Sequence, residues 1–191
     1  MVLAGNDWRE SQKHEKEVYS EREDFPSEKE AKDVVKHFDK SLQDFQDSRI
    51  LSVGAGMGII HGFKFNCENI GIDPLMGHNS NKLFGSSAAL ITGVGEYLPL
   101  ADETMDFVYT YNVLDHCLKP ENVLEEIARV TKPGGELLFE VNTYEVPEAV
   151  RKKIVGQLDS EHPHHFSSGE VRSLVTQSGF RIQQDKLMNR F

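Results

Sequence analysis

Long apolar runs are missing from this chain. No stretch approaches the length of a membrane span, and the opening Met1-Val2-Leu3-Ala4-Gly5 is too short for the hydrophobic region of a secretory signal. A cytoplasmic protein with no membrane partner is therefore expected. Basic residues are also in short supply, with 21 Lys and Arg against 31 Asp and Glu, a net charge of −10, and no basic cluster. Such a field repels polyanions, so nucleic acid is excluded as the expected partner. Cysteine is scarce: Cys67 and Cys117 stand fifty positions apart, without a C-x-x-C pair or zinc-like company. Both read as reduced, half-buried apolar residues.

What is present suffices for one domain with a real core and is too short for two, since the chain has 191 residues, 38% hydrophobic and 27% charged. Its organising stretch is Ile50-Leu51-Ser52-Val53-Gly54-Ala55-Gly56-Met57-Gly58, where an apolar run breaks into alternating glycines. A run of β-favouring residues followed by turn-permitting ones predicts a buried strand that delivers its carboxyl end into a ligand loop. Lacking a Cβ at Gly54, Gly56 and Gly58, the backbone can pass close to a bound molecule and point N–H groups at it. The pyrophosphate fingerprint G-x-G-x-x-G would place its third glycine at position 59, which is Ile59. One short helix further on, Asn69-Ile70-Gly71-Ile72-Asp73 ends in a carboxylate, placed where a second parallel strand would present an acceptor to ribose hydroxyls.

Four blocks in order complete the pattern: Val53-Gly54-Ala55-Gly56-Met57-Gly58; Gly71-Ile72-Asp73-Pro74; the run from Gly95-Glu96-Tyr97-Leu98-Pro99 to Met105-Asp106-Phe107-Val108; and Asn112-Val113-Leu114-Asp115-His116 continuing to Lys132-Pro133-Gly134-Gly135. Over about Arg49 to Phe180 the chain resembles the class I S-adenosylmethionine-dependent methyltransferases, in particular the small-molecule type called methyltransferase type 11. The resemblance implies a Rossmann-like three-layer α/β/α sandwich with a mostly parallel six- or seven-stranded sheet. It implies S-adenosyl-L-methionine as cofactor, S-adenosyl-L-homocysteine as product and a small-molecule acceptor. The expected cofactor contacts are Gly54, Ala55, Gly56, Gly58, Asp73, Pro74, Leu75, Gly95, Glu96, Tyr97, Asn112 and Val113. One departure stands out: where the family usually carries an Asp that accepts the adenine amino group, this chain has Val94. Adenine recognition then falls to the backbone near Gly95, to the Glu96 carboxylate, and to apolar contact from Leu75 and Tyr97.

Around this core, residues 1–47 are expected to form a helical lid segment and residues 48–191 the catalytic body. Trp8 and Tyr19 are the large aromatics of a charge-rich arm and are the candidates to cover the cofactor. Ser27 with Glu30 forms a capping box, and Ala31, Val34, Val35, Phe38, Leu42 and Phe45 predict a helix from Ser27 to Phe45. Strands are expected at Ala88–Val94, Asp106–Tyr111, Glu136–Val141 and Phe180–Met188, a weak helix at Asn79–Phe84, and helices at Glu121–Thr131 and after the second capping box, Ser167 with Glu170. The connection 142–166 is longer than compact folds need and is expected to line the substrate side. It carries His162, His164 and His165, which make no recognised metal-ligand motif with carboxylates or cysteines, so no metal site is expected. His116 and His165 are the candidates to accept or orient an acceptor proton.

Methyl transfer to the oxygen or nitrogen of a small molecule, by a monomer or homodimer, is the expected activity. The alternatives are an S-adenosylmethionine-binding protein without transfer activity and a nicotinamide-binding oxidoreductase, which the glycine spacing disfavours. The DNA amino-methyltransferase pattern is excluded by Asn112-Val113-Leu114-Asp115. A cytosine C5 nucleophile is excluded as well, because Cys117 follows His116 rather than a proline.

Overall fold

After Arg49, the residues Ile50, Leu51, Ser52 and Val53 are all buried, which is what a strand covered on both faces requires. This strand, β1 (Arg49–Val53), lies at the centre of a five-stranded sheet, with β2 (Glu68–Asp73), β3 (Ala89–Thr92), β4 (Met105–Tyr111) and β5 (Thr131–Glu140). Every pairing is parallel and the order is β3-β2-β1-β4-β5. The computed structural model describes residues 5–21, 27–56, 62, 66–76, 88–151, 153 and 162–187, with the side chains of 5–7 and 18–21 outside that set. The expected crossover helix after Gly58 and the weak helix at Asn79–Phe84 lie outside the described residues, as does the Tyr19 side chain.

The two-residue alternation of the strands sends side chains to opposite faces, and each face meets its own helices. On one face Leu51, Val53, Ile70, Ile72 and Val108 pack with α3 (Pro120–Val130) and α5 (Ser168–Gln177). Val123, Leu124, Ile127 and Val130 of α3 are no more than 1% exposed, so each contributes about 1.5–3 kcal/mol by the usual burial scale. On the other face Ile50, Tyr109 and Leu138 pack with Phe45 and with Ala31 and Val35 of α2 (Glu28–Val35). The result is a Rossmann-like α/β/α arrangement. Both expected capping boxes form, Ser27 with Glu30 and Ser167 with Glu170. Among the described residues no helix is long and apolar enough to cross a membrane.

Two expectations are corrected. Among the described residues the sheet has five strands rather than six or seven, because Phe180–Leu187 is irregular and residues 181–187 are all exposed. That tail is polar except for Ile182 and Leu187, and it is held through side chains, with Lys186 Nζ donating to Asp39 Oδ1 at 2.8 Å, instead of pairing along β5. A groove of ≈ 960 Å³ lies along β5 and is lined by residues of both segments. The helix predicted from Ser27 to Phe45 is broken: α2 ends at Val35, two 3₁₀ turns follow (Lys36–Phe38 and Leu42–Phe45), and Asp39 between them takes φ 54°. Polar Asp39, Lys40 and Ser41 interrupt the apolar spacing, and Ser41 with Asp44 makes a further capping box that restarts the chain. The amino-terminal arm holds α1 (Gly5–Glu21), and the long connection holds a short α4 (Glu148–Val150).

Candidate functional site

The sheet order reverses between β1 and β4, and in open parallel sheets that crevice at the strand carboxyl ends is where ligands bind. β1 leaves the sheet through Gly54 at φ 67° and Gly56 at φ 38°, in the left-handed region where a Cβ is costly. Gly54 carries a second constraint: a Cβ there would stand 2.3 Å from Cγ2 of Val113, at the end of β4. The two loops thus meet because Gly54 has no side chain.

Asp73, at the end of β2, fastens this turn. Its Oδ2 accepts the Gly56 N–H at 3.0 Å and its Oδ1 accepts the Leu75 N–H at 2.7 Å. The residue is only 4% exposed, so backbone donors compensate a buried carboxylate, whose oxygens can each accept more than one hydrogen bond. Ala55 is buried, and its N–H donates to Ile72 O at 3.0 Å. Pro74 is half-buried and Leu75 buried in the turn beyond Asp73. Gly58 lies outside the described residues.

The second loop of the expected cofactor set, Gly95-Glu96-Tyr97, is positioned from α3. Arg129 grips Glu126 with two nitrogens (2.7 and 2.8 Å), reaches Asp102 at 2.6 Å, and donates to the carbonyls of Leu98 and Leu100. Glu126 in turn accepts the Leu98 N–H at 2.8 Å. The hydrogen bonds to Arg129 hold the Glu126 carboxyl below its ordinary range, against the opposing effect of burial. Helical periodicity places Arg129 on an outer face; its polar partners come from a loop 27 to 31 positions away, which periodicity does not report. Glu96 Oε1 accepts the N–H groups of Leu118 and Lys119 at 2.9 and 3.2 Å, so its carboxylate ties this loop to the start of α3. Tyr97 is 76% exposed.

At the end of β4, Asn112 takes φ 55°, a conformation Asn tolerates better than most residues, and its N–H donates to Glu140 O. The chain then passes Val113 into the 3₁₀ turn Leu114–His116. There the structure gathers residues that no motif joins. Ser11 of α1, 1% exposed, lies with its Oγ 2.9 Å from His116 Nδ1, and Glu15 Oε1, one turn along α1, is 3.9 Å from His116 Nε2. His162 stacks at a tilt on His116 with ring centroids 4.5 Å apart, and its Nε2 is 3.9 Å from Oδ2 of buried Asp115. Trp8, expected in the lid, is half-buried on α1.

His164 and His165 follow in the same connection. His164 N–H donates to Asp115 O at 3.1 Å, its ring bonds Cys117 O at 2.9 Å and stacks on Phe166, and burial pushes its pKa down. His165 lies edge-on to Tyr144 with centroids 5.5 Å apart. Cys117 is buried, its thiol donates to Val113 O at 3.1 Å, and burial, together with nearby Glu96 and Asp115, raises its pKa well above the ordinary value. A thiol kept protonated in this way is structural. Ser11 and Glu15 carry no signal of this cluster in the sequence, and Asp115 carries only its place beside His116 after a strand.

Comparison with known proteins fits this geometry. Residues 51–139 match the model of a methyltransferase domain. A malonyl-[acyl-carrier protein] O-methyltransferase from Methylococcus capsulatus is 30% identical over 100 residues, covering 48% of this chain and 36% of the relative. The chain thus spans about a third of the length of that curated relative. Among solved structures, a SAM-dependent methyltransferase from Thermotoga maritima superposes with TM-score 0.58 at 23% identity, covering 74% of this chain and 68% of the other. A phosphoethanolamine N-methyltransferase from Haemonchus contortus, in complex with S-adenosylhomocysteine, gives TM-score 0.61 at 14% identity, covering 80% and 37%. At such identities these two structures bear on the fold.

Proposed function

We propose that the chain, whose residues 51–139 match a methyltransferase-domain model, is a class I S-adenosylmethionine-dependent methyltransferase that transfers a methyl group to an oxygen or nitrogen of a small-molecule acceptor. The observation that carries this reading is the Gly54–Gly56 turn, fastened to Asp73 at the point where the strand order reverses. When bound, S-adenosylmethionine supplies a methyl group already activated by its positive sulfonium. Asp73 would hold the ribose hydroxyls, the backbone of Gly54, Ala55 and Gly56 the amino-acid portion, and Asn112 and Val113 the far side of the same portion. Pro74, Leu75, Gly95, Glu96 and Tyr97 would surround the adenine. Chemistry of this kind asks the protein to align the acceptor at about 3 Å and to exclude water.

On the acceptor side we place His116, which meets Ser11 of α1, and His165 of the 142–166 connection. The relative named for malonyl-[acyl-carrier protein] makes a carboxylate the first acceptor class to assay. A carboxylate is already ionised at neutral pH, so it needs orientation rather than a base. The setting we propose is cytoplasmic, as a monomer or homodimer without a nucleic-acid partner.

Thermal shift and calorimetry with S-adenosylmethionine, S-adenosylhomocysteine and a nicotinamide dinucleotide, each added separately, test the reading. A ligand at 100 times its Kd stabilises by about 2.7 kcal/mol, and the two adenosyl compounds should do so while the nicotinamide does not. Stabilisation by the nicotinamide alone overturns the proposal.

A further inference from the structure

Asp115, His116 and His162 each bring a ligand-type atom within 4.8 Å of the others, and Glu15 Oε1 lies 3.9 Å from His116 Nε2. We propose that these four residues form a binding site for a divalent cation of the zinc or cobalt type. The expectation of no metal rests on the lack of a ligand motif around the 162–165 histidines; the carboxylates that meet His116 and His162 come from α1 and from the turn after β4.

Four lines of geometry support the site. First, three separate elements converge: α1 supplies Glu15, the turn after β4 supplies Asp115 and His116, and the long connection supplies His162. Second, a tetrahedral ion bound at 2.0–2.1 Å sets its ligand atoms about 3.3 Å apart. Glu15 to His116 and Asp115 to His162 stand 3.9 Å apart and the Asp115, His116 and His162 atoms all lie within 4.8 Å, so an ion would draw the ligand atoms together by about 0.5–1.5 Å. Third, the orienting contacts are in place. Ser11 Oγ engages His116 Nδ1, which leaves Nε2 as the atom turned to Glu15, and the His164 N–H to Asp115 O bond holds the His162 segment against the turn. Fourth, side-chain exposures of 3% for Asp115, 13% for His116, 20% for His162 and 25% for Glu15 describe a sheltered but reachable cluster.

The donor set decides the class of ion. Two imidazoles with two carboxylates suit zinc, cobalt and similar metals, whereas magnesium and calcium prefer all-oxygen sites. Two carboxylates also balance a double positive charge with both rings neutral. A bound cation would fasten α1 to the end of β4 and to the connection at once. The site does not depend on the transfer reading, because cation binding is measured without any methyl donor or acceptor.

Tag-free protein is stripped with a chelator and titrated with Co²⁺, the visible absorption followed, and Zn²⁺ then added in competition. One equivalent per chain is expected, displaced by Zn²⁺. His162→Gln and Asp115→Asn should each weaken binding by about 10- to 100-fold, and Ser11→Ala by about tenfold through the loosened ring. His37→Gln, remote from the cluster, should leave it unchanged. In the unaltered protein, Zn²⁺ should shift the ring NMR signals of two of the eight histidines, a measurement that survives any variant's failure to fold. Absence of stoichiometric Co²⁺ binding overturns the proposal, as does binding that leaves all eight histidine signals in place. Equal affinity in folded His162→Gln also overturns it, and would reduce the cluster to histidine–carboxylate contacts.

Discussion

The two sides of the crevice are built by different means. On the side proposed for the cofactor, the ends of β1, β2 and β4 meet through local devices: a glycine turn, a carboxylate accepting two backbone N–H groups, and Val113 seated where Gly54 has no side chain. On the side proposed for the acceptor, contacts run between side chains of elements far apart in sequence, with Ser11 and His116 separated by 105 positions. Backbone solutions demand particular residues at fixed short spacings, and such residues leave a pattern in the sequence. Side-chain solutions demand only that some suitable group arrive from anywhere, so they leave none.

The sharpest break of this contrast is Gly54→Val. The substitution puts a β-branched residue at positive φ and drives its Cβ into Val113, so both the turn and its contact with β4 are lost. Binding of S-adenosylhomocysteine should fall below detection by calorimetry, while metal binding on the other side persists in whatever fraction folds. Retained cofactor affinity in folded Gly54→Val protein would mean that close approach of the two loops is not what makes the site.

Next in size is Asp73→Asn, which keeps the shape but turns one acceptor oxygen into a donor facing a backbone N–H. Hydrogen bonds to charged groups contribute about 1.5–3 kcal/mol, so affinity for S-adenosylhomocysteine should drop by about 10- to 100-fold. Because the lost contact also secures the turn, some loss of thermal stability should accompany it. Calorimetry with an unfolding scan separates the two. An unchanged Kd in the Asn variant removes Asp73 from the cofactor site.

What is legible in the sequence follows the same division. The central strand, the glycine turn, Asp73, α3 and both expected cap boxes can be read from periodicity and local chemistry, because each is fixed within a few residues of sequence. The family pattern adds the order of the blocks. The tail after Phe180 reads as a strand and is not one: its alternating apolar residues are too few to cover a face, and its side chains reach Asp39 instead. The helix expected at 27–45 is too long because the helical spacing of Phe38, Leu42 and Phe45 survives a break that restarts in phase. Arg129 shows the limit on a smaller scale, since a charged residue on a helix gives no sign of the loop carbonyls it will meet.

Arg129→Met is the third test, a smaller effect located on the cofactor side but carried by a side chain. It keeps the apolar stem and removes the grip on Glu126, Asp102 and the Leu98 and Leu100 carbonyls. A stability loss of about 1.5–3 kcal/mol at pH 7 is expected in denaturant titration. Its pH course is set by Glu126, whose folded pKa is lowered foremost by Arg129. A depressed carboxylate contributes stability that is fully present above its unfolded pKa of about 4.3 and lost as pH falls through the folded value. The gap between the Met variant and the parent should therefore narrow below about pH 4. A gap constant down to full protonation would assign the loss to packing.

The smallest effect expected is that of Ser11→Ala, and it bears most directly on the independence of the two sides. Ser11 is buried, and its hydroxyl meets His116 Nδ1 at 2.9 Å. Losing one neutral hydrogen bond of this kind costs about 0.5–1.5 kcal/mol, somewhat more where the remaining partner stays dry. The melting temperature should drop by a few degrees at most, about 2–4 °C per kcal/mol for a chain of this size. Affinity for S-adenosylhomocysteine should stay within about twofold of the parent, because no cofactor contact runs through α1 in the arrangement proposed for Gly54, Asp73 and Val113. If the Ala variant instead loses cofactor affinity in step with Gly54→Val, α1 and the glycine turn act as one unit, and the division between a backbone-built side and a side-chain-built side fails at the point where the Leu114–His116 turn follows Val113.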